Sequence, residues 1–204
     1  LTKGQYSPTS KVGLQTKSTP FGSLDRSFSP AQFAMGAGST FFARTIDTDP
    51  KHMIETFQKA QAHKGTSVVE ILQNCVIFND KVHDDFTNRG TRDDHTVRLE
   101  HGKPMVFGKE NNKALVQDGF GFKVQEFEAE ELPNAVVHDE TSEGLSHLLA
   151  QLNGISGPVP LGVLRRLDAP SYEESFHNQI IEQKAKGKKT IKDLLNSGNT
   201  WKVD

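Results

Sequence analysis

Between residues 39 and 72 the apolar positions change their period twice. The run STFFARTI (39–46) sets aromatic and β-branched residues side by side, the pattern of a buried strand. In DTDPKHMIETFQKAQAHKG (47–65), Met53, Ile54, Phe57 and Ala60 recur at helical spacing. Asp49 stands ready as N-cap and Pro50 as first helical residue, while His63, Lys64 and Gly65 mark the C-terminal end. SVVEIL (67–72) then reads as a second strand. Strand, helix and strand with short joints predict a βαβ unit with parallel strands and a right-handed crossover. Such a unit places Asp47 and Cys75 on one edge, beyond the carboxyl ends of the strands, where open α/β sheets bind ligands.

The flanks carry weaker periods. Residues 1–23, LTKGQYSPTSKVGLQTKSTPFGS, are rich in Gly, Ser, Thr and Pro and predict an extended loop. SPAQFAMGAG offers Ser29 as N-cap and Pro30 as helix start, with Gly36 and Gly38 ending a short helix. Residues 96–127 form short alternating runs broken at His101-Gly102, at Glu110-Asn111-Asn112 and at Asp118-Gly119, which predicts a small β-meander. TSEGLSHLLAQLN (141–153) predicts an amphipathic helix and VPLGVLRRL (159–167) a last strand. From Tyr172 the pattern is helical and then basic, and no internal repeat occurs.

Composition narrows the classes of function. With 34% hydrophobic and 25% charged residues, 204 residues suffice for a real core. A net charge of −2 gives neither the basic footprint of a nucleic-acid binder nor a polybasic membrane patch. No apolar run approaches the roughly 18 residues of a membrane span, and no charged-then-apolar leader opens the chain. A single cysteine excludes an intrachain disulfide, so the expected compartment is the reducing cytoplasm. Leu1 begins inside a polar loop, and the chain is expected to be the rear part of a longer protein.

Several stretches invite chemistry. Cys75 taken alone reads as a structural thiol, because free cysteine is among the most buried residue types. In VHDDFTNRGTRDDH (82–95), His83, Asp84, Asp85, Asp93, Asp94 and His95 fit no metal motif, and a solvated acidic loop is expected. GFGFK near Gly119 lacks the spacing and following helix of a phosphate cradle and reads as a turn. The lysines at 184, 186, 188, 189 and 192 read as an exposed helical face.

The segments LTKGQYSPTS, KSTPFGS, ARTIDTDPKHM, VEILQNCVIFND, PLGVLRRLDAPSYEE and NTWKV together resemble the β subunit of 2-oxoacid:ferredoxin oxidoreductases, in particular the 2-oxoglutarate type. LTKGQYSPTS and QNCVIFND are the most specific of them. The resemblance implies an α/β fold: residues 1–80 as the remainder of a thiamine-diphosphate-binding parallel-sheet domain, and 81–204 as a small mixed α/β C-terminal extension. It implies thiamine diphosphate, Mg²⁺ and a 4Fe-4S cluster as cofactors. The metal-binding Gly-Asp-Gly motif and three cluster cysteines are expected upstream of residue 1. Cys75 is similar to the fourth cluster ligand, and a soft thiolate suits that role. Thr2, Gly4 and Gln5 match the family's TxGQ loop and are expected to seat the cofactor, Gly4 by allowing close backbone approach.

The implied reaction is oxidative decarboxylation of a 2-oxoacid, with electrons passed through the cluster to ferredoxin and the acyl group taken by coenzyme A. An α subunit is the implied partner and holds the activating glutamate. Lys3, where pyruvate-type relatives more often carry glycine, is the candidate for selecting a dicarboxylic substrate. Two other readings stay open: a pyruvate or broad-range enzyme, and a non-catalytic assembly module of the same fold. The electron acceptor and the direction of the reaction are not legible in these residues.

Overall fold

Apolar side chains gather on both faces of one four-stranded sheet. The computed structural model describes residues 4–128, 133–187, 190–199, 201 and 203. The sheet runs β2 (Ser67–Leu72), β1 (Phe41–Ile46), β7 (Val159–Arg166), β3 (Thr96–Arg98). β1 and β2 pair in parallel, Phe41 opposite Ser67 through Ile46 opposite Leu72, as the βαβ pattern requires. β7 runs antiparallel to β1 and parallel to β3, so the sheet is mixed rather than purely parallel. It joins strands from both sides of residue 80, because β7 inserts between β1 and β3.

One face carries α2 (Pro50–Ala62), with Phe41, Ala43 and Val163 buried beneath it and Ala60 packed on them. The opposite face carries α1 (Pro30–Gly36) and α5 (Glu143–Gln151), whose Ala31, Met35, Leu149 and Ala150 enclose Phe42 and Leu164. The caps at Ser29 and Asp49 form as expected, accepting the Gln32 and His52 N–H groups, and the structure adds a third, Ser142, which accepts the Leu145 N–H.

The expected apolar face of α2 requires correction. Ile54 and Phe57 are 57% and 45% exposed, and the side against the sheet is His52, Met53, Thr56 and Ala60. The polar members of that side satisfy one another: Thr45 Oγ1 and His52 Nδ1 are hydrogen-bonded at 2.8 Å, and Thr56 Oγ1 donates to the His52 carbonyl at 2.7 Å. Burial, aided by the Arg98 guanidinium, pushes the His52 imidazole down to about 4. Paired polar groups are as acceptable under a helix as apolar ones, so hydrophobic spacing misassigns the seated side.

The meander is smaller than expected. β4 (Val106–Phe107), β5 (Lys113–Asp118) and β6 (Gly121–Glu126) form the antiparallel sheet, whereas β3 leaves it for the main sheet. The acidic stretch is solvated as expected, with Asp84, Asp85, Asp93 and His95 exposed, but it is not a plain loop. It folds into the single turns α3 (Asp84–Thr87) and α4 (Arg92–His95), anchored by buried Phe86 and by an Asp94–Lys113 ion pair at 2.9 Å.

Residues Pro170–Asp204 form a separate unit. α6 (Tyr172–Ala185) and α7 (Ile191–Leu195) each begin with a capping box, Ser171/Glu174 and Thr190/Asp193, and neither helix buries a residue. Among the lysines expected on an exposed face, 184, 186 and 192 are exposed, while 188 and 189 lie outside the described residues.

Candidate functional site at the carboxyl edge of the sheet

The parallel pair β1 and β2 ends in two loops that meet. The Asp47 N–H donates to the Leu72 carbonyl at 3.2 Å, extending the ladder by one bond. Asp47 Oδ2 then accepts the Asn74 N–H at 3.1 Å, while its Oδ1 is buried without a hydrogen-bond partner among the described residues. Asp47 and Cys75 thus lie at the same edge, as the βαβ reading expected.

Cys75 opens a tight turn in which the Asn79 N–H donates to the Cys75 carbonyl at 2.9 Å. The backbone N–H groups of Phe78, and then of Ile77 and Asn79, hold the thiol below its ordinary range against the opposing effect of desolvation. A half-buried thiol of this kind, once deprotonated, is a soft ligand suited to a soft metal. The turn is closed by Asn74, whose Nδ2 donates to Asp80 Oδ1 at 2.8 Å and whose Oδ1 accepts the Lys81 N–H at 3.0 Å. Lys81 takes a left-handed conformation, φ 62°, to make that bond. The His83 imidazole, next to the Phe86 ring, is pushed down chiefly by burial and pulled back up by the Asp47 carboxylate.

The N-terminal loop reaches this turn. Gly4 has φ 74°, and a Cβ there would lie 3.1 Å from Phe78 Cδ1. The backbone conformation favours glycine, and a side chain there would also press on the aromatic ring of the cysteine turn. Gln5 beside it is exposed. Thr2 and Lys3 lie outside the described residues. The rest of the loop is ordered by its own bonds: Gly13 N–H to the Ser23 carbonyl at 2.8 Å, Ser23 N–H to Leu14 at 3.1 Å, and Phe28 N–H to Pro8 at 2.7 Å.

The structure thus brings Gly4 and the Cys75 turn together, although about seventy residues of sequence separate them. Sequence reasoning passed over Asn74 and Asp80; Asn and Asp flanking a short loop are the turn formers that could have drawn attention to them. Among the described residues no group of three or more His, Cys, Asp or Glu side chains is arranged to hold a metal ion. The chain's single cysteine can supply at most one thiolate to a metal centre.

No protein-family model matches the chain. The chain is a homologue of the β subunits of 2-oxoglutarate and other 2-oxoacid:ferredoxin oxidoreductases, and it spans about half the length of such a subunit. Its likeness to the 2-oxoglutarate oxidoreductase subunit KorB of Mycobacterium tuberculosis is 36% identity, over 100% of this chain and 56% of that protein. A 2-oxoacid:ferredoxin oxidoreductase subunit beta of Saccharolobus solfataricus is 44% identical over 80 residues, 39% of this chain and 26% of that protein. Among solved structures, the 2-oxoglutarate:ferredoxin oxidoreductase from Magnetococcus marinus, with 2-oxoglutarate, coenzyme A and succinyl-CoA bound, superposes with a TM-score of 0.60. That match covers 96% of this chain and 53% of the other at 22% identity, a likeness of fold. No helix among the described residues is long and apolar enough to cross a membrane.

Proposed function

We propose that the chain is a working part of a 2-oxoglutarate:ferredoxin oxidoreductase β subunit, acting in the cytoplasm with an α subunit and ferredoxin. The 36% identity running the whole length of the chain carries this reading. In it, residues 1–80 belong to the cofactor-seating domain and 81–204 to the extension, which completes the main sheet with β3 and β7. Thiamine diphosphate, held with Mg²⁺, supplies the decarboxylation chemistry, and the 4Fe-4S cluster supplies one-electron transfer. This chain's own contribution is positional. Gly4 and Gln5, with Thr2, line the approach to the diphosphate, and Cys75 gives the cluster one thiolate, stabilised by the N–H groups of its turn. The ligands to Mg²⁺ and the other three cluster thiolates come from outside these residues, as does the group that activates the cofactor.

The deciding experiment is Cys75→Ser in the purified complex. Bound iron should fall and ferredoxin reduction should be lost, because a serine oxygen is a poor substitute for a soft thiolate. Iron content and electron transfer at the wild-type level would return Cys75 to a structural role. Lys3 is proposed to meet the distal carboxylate of a dicarboxylic substrate. Lys3→Gly should then raise the KM for 2-oxoglutarate by about tenfold to a hundredfold, the worth of a charge-assisted hydrogen bond, and leave pyruvate unaffected. Equal effects on both substrates would remove Lys3 from substrate selection. The Saccharolobus similarity favours a second reading, a broad 2-oxoacid range, and the same paired assay with unmodified complex separates the two.

A further inference from the structure

Resting on the reading of Cys75 as a cluster ligand, we infer that Asn74 is a positioning residue whose carboxamide clasps the loop that carries the sulfur. Three bonds meet at Asn74. Its main-chain N–H reaches Asp47 Oδ2 at 3.1 Å and ties the start of the loop to the end of β1. Its Nδ2 donates to Asp80 Oδ1 at 2.8 Å, and its Oδ1 accepts the Lys81 N–H at 3.0 Å, which ties the far end. The Lys81 N–H also donates to Asp80 Oδ1 at 2.9 Å, so Asn74, Asp80 and Lys81 form a closed ring of bonds.

Among the described residues, packing contributes little at the sulfur itself. Val76 and Ile77, the two residues after the cysteine, are 72% and 77% exposed. The loop therefore owes its shape to polar ties, and the most economical is a side chain that donates to one end and accepts from the other. Alanine offers neither function. Aspartate keeps the acceptor for Lys81 but sets a second negative charge against Asp80. A metal ligand must be held within about half an ångström of its productive position, so slack in this clasp moves the sulfur out of reach.

The clasp is tested in the purified complex with Asn74→Ala, Asn74→Asp, and the exchange pair Asn74→Asp with Asp80→Asn. Both single variants should speed amide hydrogen exchange across residues 74–81 about tenfold. They should also lower bound iron and broaden or shift the electron paramagnetic resonance signal of the reduced cluster. The exchange pair should restore all three, because a carboxamide at 80 then donates to a carboxylate at 74, which still accepts the Lys81 N–H. Unchanged loop exchange in Asn74→Ala, or an exchange pair that restores none of the three, would overturn the inference. If Asn74→Ala does not assemble, the exchange pair alone decides: it should assemble with wild-type iron and spectrum, and its failure counts against the clasp. A complex in which Cys75→Ser leaves iron unchanged, while Asn74→Ala still loosens the loop, would refute ligation by Cys75 and leave the clasp intact.

Discussion

β1 and β2 are neighbours of equal length, each a short apolar strand, yet all six residues of β1 are buried while β2 is only partly covered, with Ile71 39% exposed. β1 lies between β2 and β7 under helices on both faces; β2 is the edge of the sheet. The difference teaches that strand composition registers the capacity to be buried, whereas position in the sheet determines how much of that capacity is used. Beyond the backbone ladder, a side-chain ion pair crosses the two strands. Arg44 of β1, opposite Glu70 of β2, sends Nε to Glu70 Oε2 at 2.7 Å and Nη1 to the Leu152 carbonyl at 3.0 Å.

The comparison is sharpest where burial is complete. Phe42→Ala removes a fully buried ring between α1, α5 and the sheet and should cost about 4 kcal/mol, read as a lower denaturation midpoint. Glu70→Ala should follow at about 3 kcal/mol, because it leaves the Arg44 guanidinium buried without its counter-charge. Glu70→Gln keeps an acceptor for Arg44 and should recover part of that loss. The smallest effect belongs to the edge. Ile71→Thr retains β-branching at a part-exposed position and should change stability by less than about 1 kcal/mol. An Ile71→Thr cost matching that of Phe42→Ala would mean that β2 is covered in solution, and the contrast between the strands would collapse.

A similar contrast separates what could be read early from what could not. The βαβ unit, the caps at Ser29 and Asp49, and the edge position shared by Asp47 and Cys75 were all legible, because each depends on residues near one another in the chain. The departure of β3 from the meander and the side of α2 that meets the sheet were not. A three-residue strand carries too little pattern to choose its partner, and α2 seats polar groups whose partner, Thr45, lies on another element. Within the candidate site, Cys75 and Gly4 stood out by residue type and by resemblance, whereas Asn74 and Asp80 stand out only through the bonds they make with each other, Asp47 and Lys81.

Residue order by itself determined the local segments, their periods and caps, the single thiol, and a resemblance specific enough to name a family. Those properties arise from dihedral preferences, side-chain hydrogen bonds within a turn, and residue identity, none of which needs a distant contact. Tertiary structure alone decided that β7 slides antiparallel against β1, that the Phe78 ring closes over Gly4, and that Asp47 anchors the loop bearing Cys75. Each joins segments separated by tens of residues, and such contacts are selected by the burial and hydrogen bonding of the whole domain at once, which no local window contains.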